Sequence, residues 1–394
     1  MEKMIFIDKP FVSDFLRNTI KENGFTVVKT KIAEKLGFNK GVNILDEENA
    51  IQQAKSSEDI LIYTISENSI GWIAKHLSST KLPQKIELFK DKVKFRTLIK
   101  SMYPDFYFRE IQLYELDDLS LENIPMPFII KPAVGFFSMG VYKVTGPGKW
   151  EQVKKAIREE ILRSKDFYPT EVLNTRSFII EQCIEGEEFA VDAYFDGTGD
   201  PVILNIHKHI FSSNEDVSDR IYISSKEIIE SNIDQFSVFL KKIGKLSGVK
   251  NFPVHAEIRR ERTGSVLPIE INPMRFGGWC TTADAAHLAY GFNPYVLYFS
   301  QKRPEWKEIL KNKEGKLYSI IVLDNSTGTE GTQIASFDYD LLLSNFEKPL
   351  ELRKIDYEEY PVFGFLFTET KEENILELER ILKSDLKEFI TVNE

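Results

Sequence analysis

The chain has 394 residues, 42% of them apolar and 28% charged, which are ordinary globular proportions and leave no room for a fibrous repeat or a long disordered tract. A single hydrophobic core usually stops growing near about 250 to 300 residues, so two or three domains are expected. Acidic residues outnumber basic ones by 61 to 51, and a net charge of −10 repels a phosphate backbone; broad nucleic-acid binding is disfavoured, while a local basic pocket for one nucleotide is not.

No apolar run approaches the about 20 residues that a membrane helix needs, and the start Met1-Glu2-Lys3-Met4-Ile5-Phe6 has no apolar core of a secretion signal. A membrane partner is therefore not expected, and the cytoplasm is the expected compartment. Cys183 and Cys280 lack CxxC spacing, which predicts reduced, mostly buried thiols rather than disulfides or a zinc knuckle.

Over the first ninety residues, strand-like runs at Met4 to Ile7, Phe25 to Lys29 and Ile60 to Ile65 alternate with helical patterns at Phe11 to Asn23, Glu48 to Ala54 and Ser69 to Leu77. That alternation predicts a small parallel sheet, a Rossmann-like unit over residues 1–90. No GxGxxG follows the first strand, so a dinucleotide enzyme is not expected. After a helix at about Asp91 to Ser101, strands come as neighbours joined by glycine-bearing turns at Asp196 to Asp200 and Arg262 to Ser265. Helical stretches at Trp150 to Ser164 and Lys226 to Ser247 interrupt them, which predicts an α+β domain over residues 91–300. From Leu317 onward the order βαββαβ predicts a ferredoxin-like unit within residues 301–394.

Three segments carry chemistry. In Phe128-Ile-Ile-Lys131-Pro-Ala-Val-Gly135-Phe-Phe-Ser138-Met-Gly140, a strand delivers one lysine before a loop of two glycines and a serine, where backbone amides can approach phosphates. In Phe178-Ile-Ile-Glu181-Gln182-Cys183-Ile184-Glu-Gly186-Glu187-Glu188, the edge between two strands offers backbone groups to an adenine and a carboxylate to ribose hydroxyls. In Val254-His-Ala-Glu257-Ile-Arg259 and Leu267-Pro-Ile-Glu270-Ile-Asn272, period-two alternation puts His255, Glu257 and Arg259 on one face and Pro268, Glu270 and Asn272 on one face of the partner strand. Two carboxylates and an amide oxygen so gathered suit a hard cation such as Mg²⁺.

In this order and spacing the three segments resemble the ATP-grasp fold, over about Asp91 to Phe299, with the Rossmann-like unit in its usual place before it. The resemblance implies ATP as nucleotide, with Mg²⁺ (or Mn²⁺ in its place), bound between two α+β lobes. Lys92 and Lys131 resemble the phosphate-binding lysines, with Ser138 in the glycine loop. Glu181, Gln182, Cys183 and Ile184 resemble the hinge beside adenine, Glu188 the ribose ligand, and Glu257, Glu270 and Asn272 the metal ligands. Arg275 resembles the arginine that holds the acyl phosphate, here one residue further on than in the commoner Asn-Pro-Arg.

The implied activity is an ATP-dependent ligase that phosphorylates a small-molecule carboxylate and joins it to an amine or thiol. The alternatives are a non-catalytic nucleotide-binding regulator and a small-molecule kinase on the same fold. His207, Lys208 and His209 are expected on a strand bordering the acceptor site, Ser212 to Arg220 in a substrate loop, and Trp279, Thr281 and Thr282 near the cleft. The C-terminal unit is expected to cover the cleft or to make a homodimer contact.

Overall fold

Apolar runs too short for buried helices become a parallel sheet at the N-terminus. In the computed structural model, which describes residues 2–38, 40–57, 59–135, 140–164, 174–213 and 218–393, strands β1 (Lys3–Phe6), β2 (Thr26–Val28), β3 (Asn43–Leu45) and β4 (Leu61–Thr64) pair in the order β3-β2-β1-β4. Each connecting helix opens on a polar cap: Ser13 Oγ accepts from the Leu16 amide at 3.1 Å, Thr30 Oγ1 from that of Ala33 at 3.0 Å and Asp46 Oδ1 from that of Asn49 at 2.9 Å. The edge strand β3 is absent from the sequence-based expectation because none of its three residues is buried, so it carries no apolar alternation.

The next sheet is antiparallel. Strands β5 (Phe108–Gln112), β6 (Phe128–Val134), β7 (Tyr142–Val144) and β8 (Asn174–Gln182) pair in the order β5-β8-β6-β7, and Trp150, Val153 and Ile157 of the helix Trp150–Ser164 pack in one core with Phe128, Ile130, Phe178 and Ile180.

A larger sheet follows, built from β9 (Glu187–Phe195), β10 (Pro201–Ile210), β11 (Ile221–Ser224), β12 (Phe252–Arg260), β13 (Val266–Pro273) and β14 (Lys316–Asp324). Beyond these come β15 (Ile334–Phe337), β16 (Pro349–Lys354), β17 (Val362–Lys371) and β18 (Ile390–Val392). The helix Lys226–Ser247, capped by Ser225 and ended by Gly248 at φ 63°, lies against β10 and buries Phe236, Phe239, Leu240 and Ile243.

Here the sequence-based expectation is corrected. The C-terminal strands do not close a separate ferredoxin-like sheet: β14, β17 and β16 extend the large sheet, whose eight strands run β13-β12-β9-β10-β11-β14-β17-β16, while β15 and β18 pair with each other alone. The element order βαββαβ fixes only a sequence of strands and helices. Partner choice is decided by β11, whose outer edge is open until Ile221 to Ser224 pair with Tyr318 to Ile321 of β14. The expected antiparallel pairing of Leu350 to Ile355 with Val362 to Thr368 does form, between β16 and β17.

The N-terminal unit is fastened to the large sheet by buried polar contacts. Tyr298 Oη donates in the direction of two carbonyls, Ile62 and Asn251, each at 2.9 Å, and the Thr64 amide donates to the Met274 carbonyl at 2.8 Å. These contacts set the C-terminal end of β4 directly beside β13. Ending the chain after Arg303 removes β14, β16 and β17 and bares the β11 edge together with the apolar face that Ile321, Leu323 and Leu366 bury. The truncated protein is expected to aggregate in size-exclusion chromatography. A monodisperse product with an unchanged melting temperature would show that the sheet is stable without these strands.

Candidate active site

The site is organised by the hairpin β12-β13, where Glu257 sits directly opposite Glu270 and His255 opposite Asn272. The expected face is therefore formed for His255, Glu257, Glu270 and Asn272, whereas a bulge between Glu257 and Ile258 sets Pro268 opposite Ile258 and Arg259 opposite Leu267, so Pro268 does not join it. Asn272 Nδ2 donates to Glu270 Oε1 at 3.0 Å and reaches Glu257 Oε1 at 3.4 Å. Burial pushes both carboxyl groups up. Glu257 stays well above the usual carboxylate range because Glu270, Glu188 and Asp219 add like charge, whereas Glu270 is held below its ordinary value by Lys92, Lys131 and Lys90. Lys92 Nζ pairs with Glu270 Oε2 at 3.1 Å. Its position follows from Asp91, whose carboxylate caps the helix Lys92–Leu98 through the amides of Val93 and Lys94.

Among the described residues Glu257 has no Lys or Arg within ion-pair distance, only His255 Nε2 at 4.0 Å. A carboxylate left so exposed to like charge, beside a second carboxylate and an amide whose oxygen comes into place by a half-turn, is a donor set that fits a hard divalent cation. Among the described residues no group of three or more His, Cys, Asp and Glu side chains could hold a metal ion, since the third donor here is an amide.

Cations ring the same place. Lys131, on β6, pairs with Glu181 Oε1 at 2.6 Å, and Arg96 Nε takes the other oxygen at 2.7 Å. Burial alone would raise Glu181, but Arg96 and Lys131 outweigh it and hold its pKa at about 2. Lys90 and Arg275 share Glu67, with Arg275 Nη2 at 2.8 Å from Oε1. Lys90 Nζ also donates to the Gly135 carbonyl at 3.2 Å, with Lys92 Nζ at 3.5 Å, which places both lysines at the start of the glycine loop. Ser138 lies outside the described residues.

The extra residue before Arg275 has a structural role. Met274 takes φ 68°, donates its amide to Pro253 and accepts from Thr64 at its carbonyl, each at 2.8 Å, so the longer spacing makes a turn that aims Arg275 at Glu67.

Of the residues expected beside adenine and ribose, only Glu181 joins this cluster. Glu181 is saturated by its two cations; Gln182 and Cys183 use their amides on the carbonyls of Tyr107 and Pro127 at 3.1 and 3.3 Å, and the Ile184 carbonyl accepts from Arg259 at 2.5 Å. Glu188 is held by Arg259 at 2.8 Å and by His209 Nδ1 at 3.1 Å. Gln182, Cys183, Ile184 and Glu188 do not line the central cavity, which encloses about 640 Å³ and is bordered by Lys92, Lys131, Glu257, Glu270, Asn272 and Arg275.

The far wall of that cavity comes from Gly277 to Thr282 and from the C-terminal strands. His255 Nδ1 lies 2.7 Å from Asp192 Oδ1, which also accepts from the Gly277 amide at 3.0 Å. A Cβ on Gly277 would meet Thr282 Oγ1 at 2.3 Å, so glycine is required there. Trp279 and Cys280 both occupy the left-handed region, at φ 57° and 58°, a conformation that costs roughly 1–3 kcal/mol at a non-glycine residue. Arg353 of β16 holds this turn by donating to the Trp279 carbonyl at 2.8 Å and pairing with Asp284 at 2.7 Å.

Of the residues expected near the cleft, Trp279, Thr281, Thr282, Ser218 and Asp219 line it; residues 214–217 of the expected substrate loop lie outside the described residues. His207, Lys208 and His209 do not line it. His207 is buried beside Asn205, Lys208 pairs with Glu187 at 2.6 Å, and His209 stacks on Tyr222 at 4.3 Å. Sequence reasoning missed Arg96, Lys90 and Glu67. Arg96 lies one helical turn from Lys92, a spacing that could have revealed it. Glu67 follows the C-terminal end of a parallel strand, the usual location of ligand residues in such sheets.

Residues 124–283 match the ATP-grasp domain family. No curated protein matches the chain by sequence. Among solved structures, L-amino acid ligase from Bacillus licheniformis is 18% identical with a TM-score of 0.69, covering 100% of this chain and 98% of that one. N5-carboxyaminoimidazole ribonucleotide synthetase from Thermotoga maritima is 15% identical, TM-score 0.63, covering 100% of both chains. Biotin carboxylase from Campylobacter jejuni is 14% identical, TM-score 0.62, covering 99% of this chain and 92% of its own. At these identities the likeness establishes the fold.

Burial lowers His207 to about 4 from an ordinary 6.5. The unfolded chain therefore takes up a proton below pH 6.5 that the folded chain refuses until about pH 4, so stability falls as pH falls through that window, by on the order of 3 kcal/mol. Urea denaturation at pH 7 and pH 4.5 should show that loss in the natural protein and a smaller one in His207→Gln. Equal slopes in the two proteins would remove His207 as the source.

Proposed function

Because the chain carries an ATP-grasp domain, we propose that it is an ATP-dependent ligase that activates a small-molecule carboxylate as an acyl phosphate and joins it to an amine or a thiol. The observation that carries this reading is the convergence of Lys92, Lys131 and Arg275 with Glu257, Glu270 and Asn272 on one cavity. A substrate carboxylate oxygen attacks the γ-phosphorus of ATP, ADP leaves, the amine attacks the acyl carbon, and phosphate departs as the amine loses its proton. Phosphoryl transfer of this kind needs alignment and charge neutralisation more than a protein nucleophile, which suits a site built from cations and metal donors.

In this reading Lys92 and Lys131 hold phosphate oxygens, and Arg275 steadies the charge that builds on the acyl phosphate. Glu257, Glu270 and Asn272 would hold Mg²⁺, or Mn²⁺ in its place, and the bound ion would neutralise phosphate charge. Gln182 to Ile184 serve the adenine and Glu188 the ribose. For Glu188 to do so, Arg259 and His209 must share it.

ADP release measured over pairs of amino acids and small carboxylates tests the reaction. A ligase releases ADP only with both partners present and yields an amide detectable by mass spectrometry. A kinase leaves a stable phosphorylated product without an amine, and a regulator binds ATP without turnover; either result would replace the proposal.

Two substitutions test the residue roles. Lys131→Ala leaves Arg96 to neutralise Glu181, so the fold should persist while Mg·ATP affinity drops roughly 10-fold to 150-fold, the range expected for a charge-assisted hydrogen bond. An unchanged ATP titration in the folded variant rules out phosphate binding by Lys131. Glu270→Gln keeps shape but removes a donor charge, and the rise in melting temperature on adding Mg·ADP should be much smaller than in the natural protein. Equal rises would eliminate the metal role.

A further inference from the structure

Below the phosphate and metal groups the cavity changes character. Its floor is one face of adjacent strands: Tyr222 of β11 lies opposite Ile320 of β14, and Val322 of β14 opposite Phe365 of β17. Trp279 closes the side, its ring 5.5 Å from that of Phe365 and 5.0 Å from that of Tyr360. Ile320 and Phe365 are buried, whereas Tyr222, Trp279, Val322 and Val362 remain partly open, and all of them except Tyr360 line the same cavity as Glu257, Glu270 and Arg275. Among the described residues the charged groups beside this floor are Asp219, which accepts from the Tyr222 hydroxyl at 2.5 Å, and Asp324, which Arg220 pairs at 2.7 Å.

We propose that this floor is a subsite for the apolar side chain of one of the two substrates, an aliphatic or aromatic group of about leucine to phenylalanine size on the carboxylate or the amine. The inference rests on the ligase reading for what the other end of the molecule does, and on three observations for the subsite itself. First, the apolar patch is continuous with the reacting groups, so a compound activated at Arg275 and Glu257 extends onto it. Second, the floor is mostly hydrocarbon and ring surface, and the Tyr222 hydroxyl is already engaged by Asp219, so a charged substituent would give up its water there without an ion-pair partner and is disfavoured. Third, the placement of Trp279 is maintained against its left-handed backbone by Arg353, which reaches across from the C-terminal strands to its carbonyl.

The test uses glycine, L-leucine, L-phenylalanine, L-aspartate and L-lysine as probes, titrated calorimetrically into the full-length protein holding Mg²⁺ and a non-hydrolysable ATP analogue, and then assayed for ADP release with ATP. Leucine and phenylalanine should bind roughly tenfold to a hundredfold more tightly than glycine, the gain expected for burying such a side chain. Aspartate and lysine should bind no more tightly than glycine. Val322→Phe fills the floor and should remove at least about tenfold of the leucine preference while leaving glycine binding and the Mg·nucleotide response unchanged. Should that variant not fold, Val322→Ala enlarges the same space and should shift preference from leucine towards phenylalanine. Equal binding of the five probes, failure of the apolar ones to bind, or a preference untouched by the folded Val322 variant overturns the subsite. Preferential binding of leucine without ADP release from any pair keeps the subsite and overturns the ligase reading. ADP release with equal kcat/KM for every probe keeps the ligase and overturns the subsite.

Discussion

Two carboxylates facing each other across a hairpin are the constraint around which this protein is arranged. The register of β12 against β13 puts Glu257 opposite Glu270, and a one-residue slip of β13 would turn Glu270 and Asn272 to the other face, away from Glu257. Two like unit charges about 4 Å apart repel by roughly 4 kcal/mol at an effective dielectric of 20. The hairpin tolerates this because Lys92 pairs with Glu270 and Asn272 bridges to both, and because burial and like charge keep the Glu257 carboxyl well above its usual range. A cation placed between the carboxylates would relieve the repulsion at its source, and that is the sense in which the site is built for a ligand.

The surrounding cations are arranged by three different parts of the chain. A capped helix start supplies Lys92 and, one turn on, Arg96; β6 supplies Lys131; and the turn at Met274 supplies Arg275. Each is met by a carboxylate, Glu270 for Lys92, Glu181 for Arg96 and Lys131, and Glu67 for Arg275, which shares it with Lys90. Buried pairs of this kind contribute little net stability, since desolvation offsets much of the Coulomb gain, but breaking one leaves an uncompensated charge. Their effect is to fix positions. Glu67 belongs to the N-terminal unit, so its pairing with Arg275 ties the geometry of that arginine to the docking of the unit through Thr64 and Tyr298.

Much of this was legible in the sequence, because alternation and capping are local signals. The hairpin face of Glu257, Glu270 and Asn272, the lysine at the end of β6 and the helix Lys226–Ser247 all follow from short-range patterns. What was not legible depends on long-range pairing. The C-terminal βαββαβ order carries no information about which open edge its strands will meet, and the edge of β11 accepts β14. Lys90, Glu67 and Arg96 are ordinary surface residue types at their positions in the sequence, and only the approach of three separate segments buries them. The strand, linker and strand layout around Glu181 to Glu188 was legible, with β8 ending at Gln182 and β9 beginning at Glu187, but nothing local foretells that Arg259 and His209 take up the Glu188 carboxylate.

Joining the C-terminal strands to the large sheet has a consequence for how such a site can vary. Arg353 ties β16 to both the Trp279 carbonyl and Asp284 at the start of the helix Thr281–Tyr290; burial pushes Asp284 up to about 7 even with that arginine beside it. The floor of the cavity thus hangs on residues far along the chain from Lys92, Lys131, Glu257 and Glu270. One sheet carries both the Glu257–Glu270 hairpin at β12-β13 and the apolar floor at β11-β14-β17, with β9 and β10 between them, so a substitution at Val322 or Phe365 changes the volume beneath the cleft several strands away from the hairpin register.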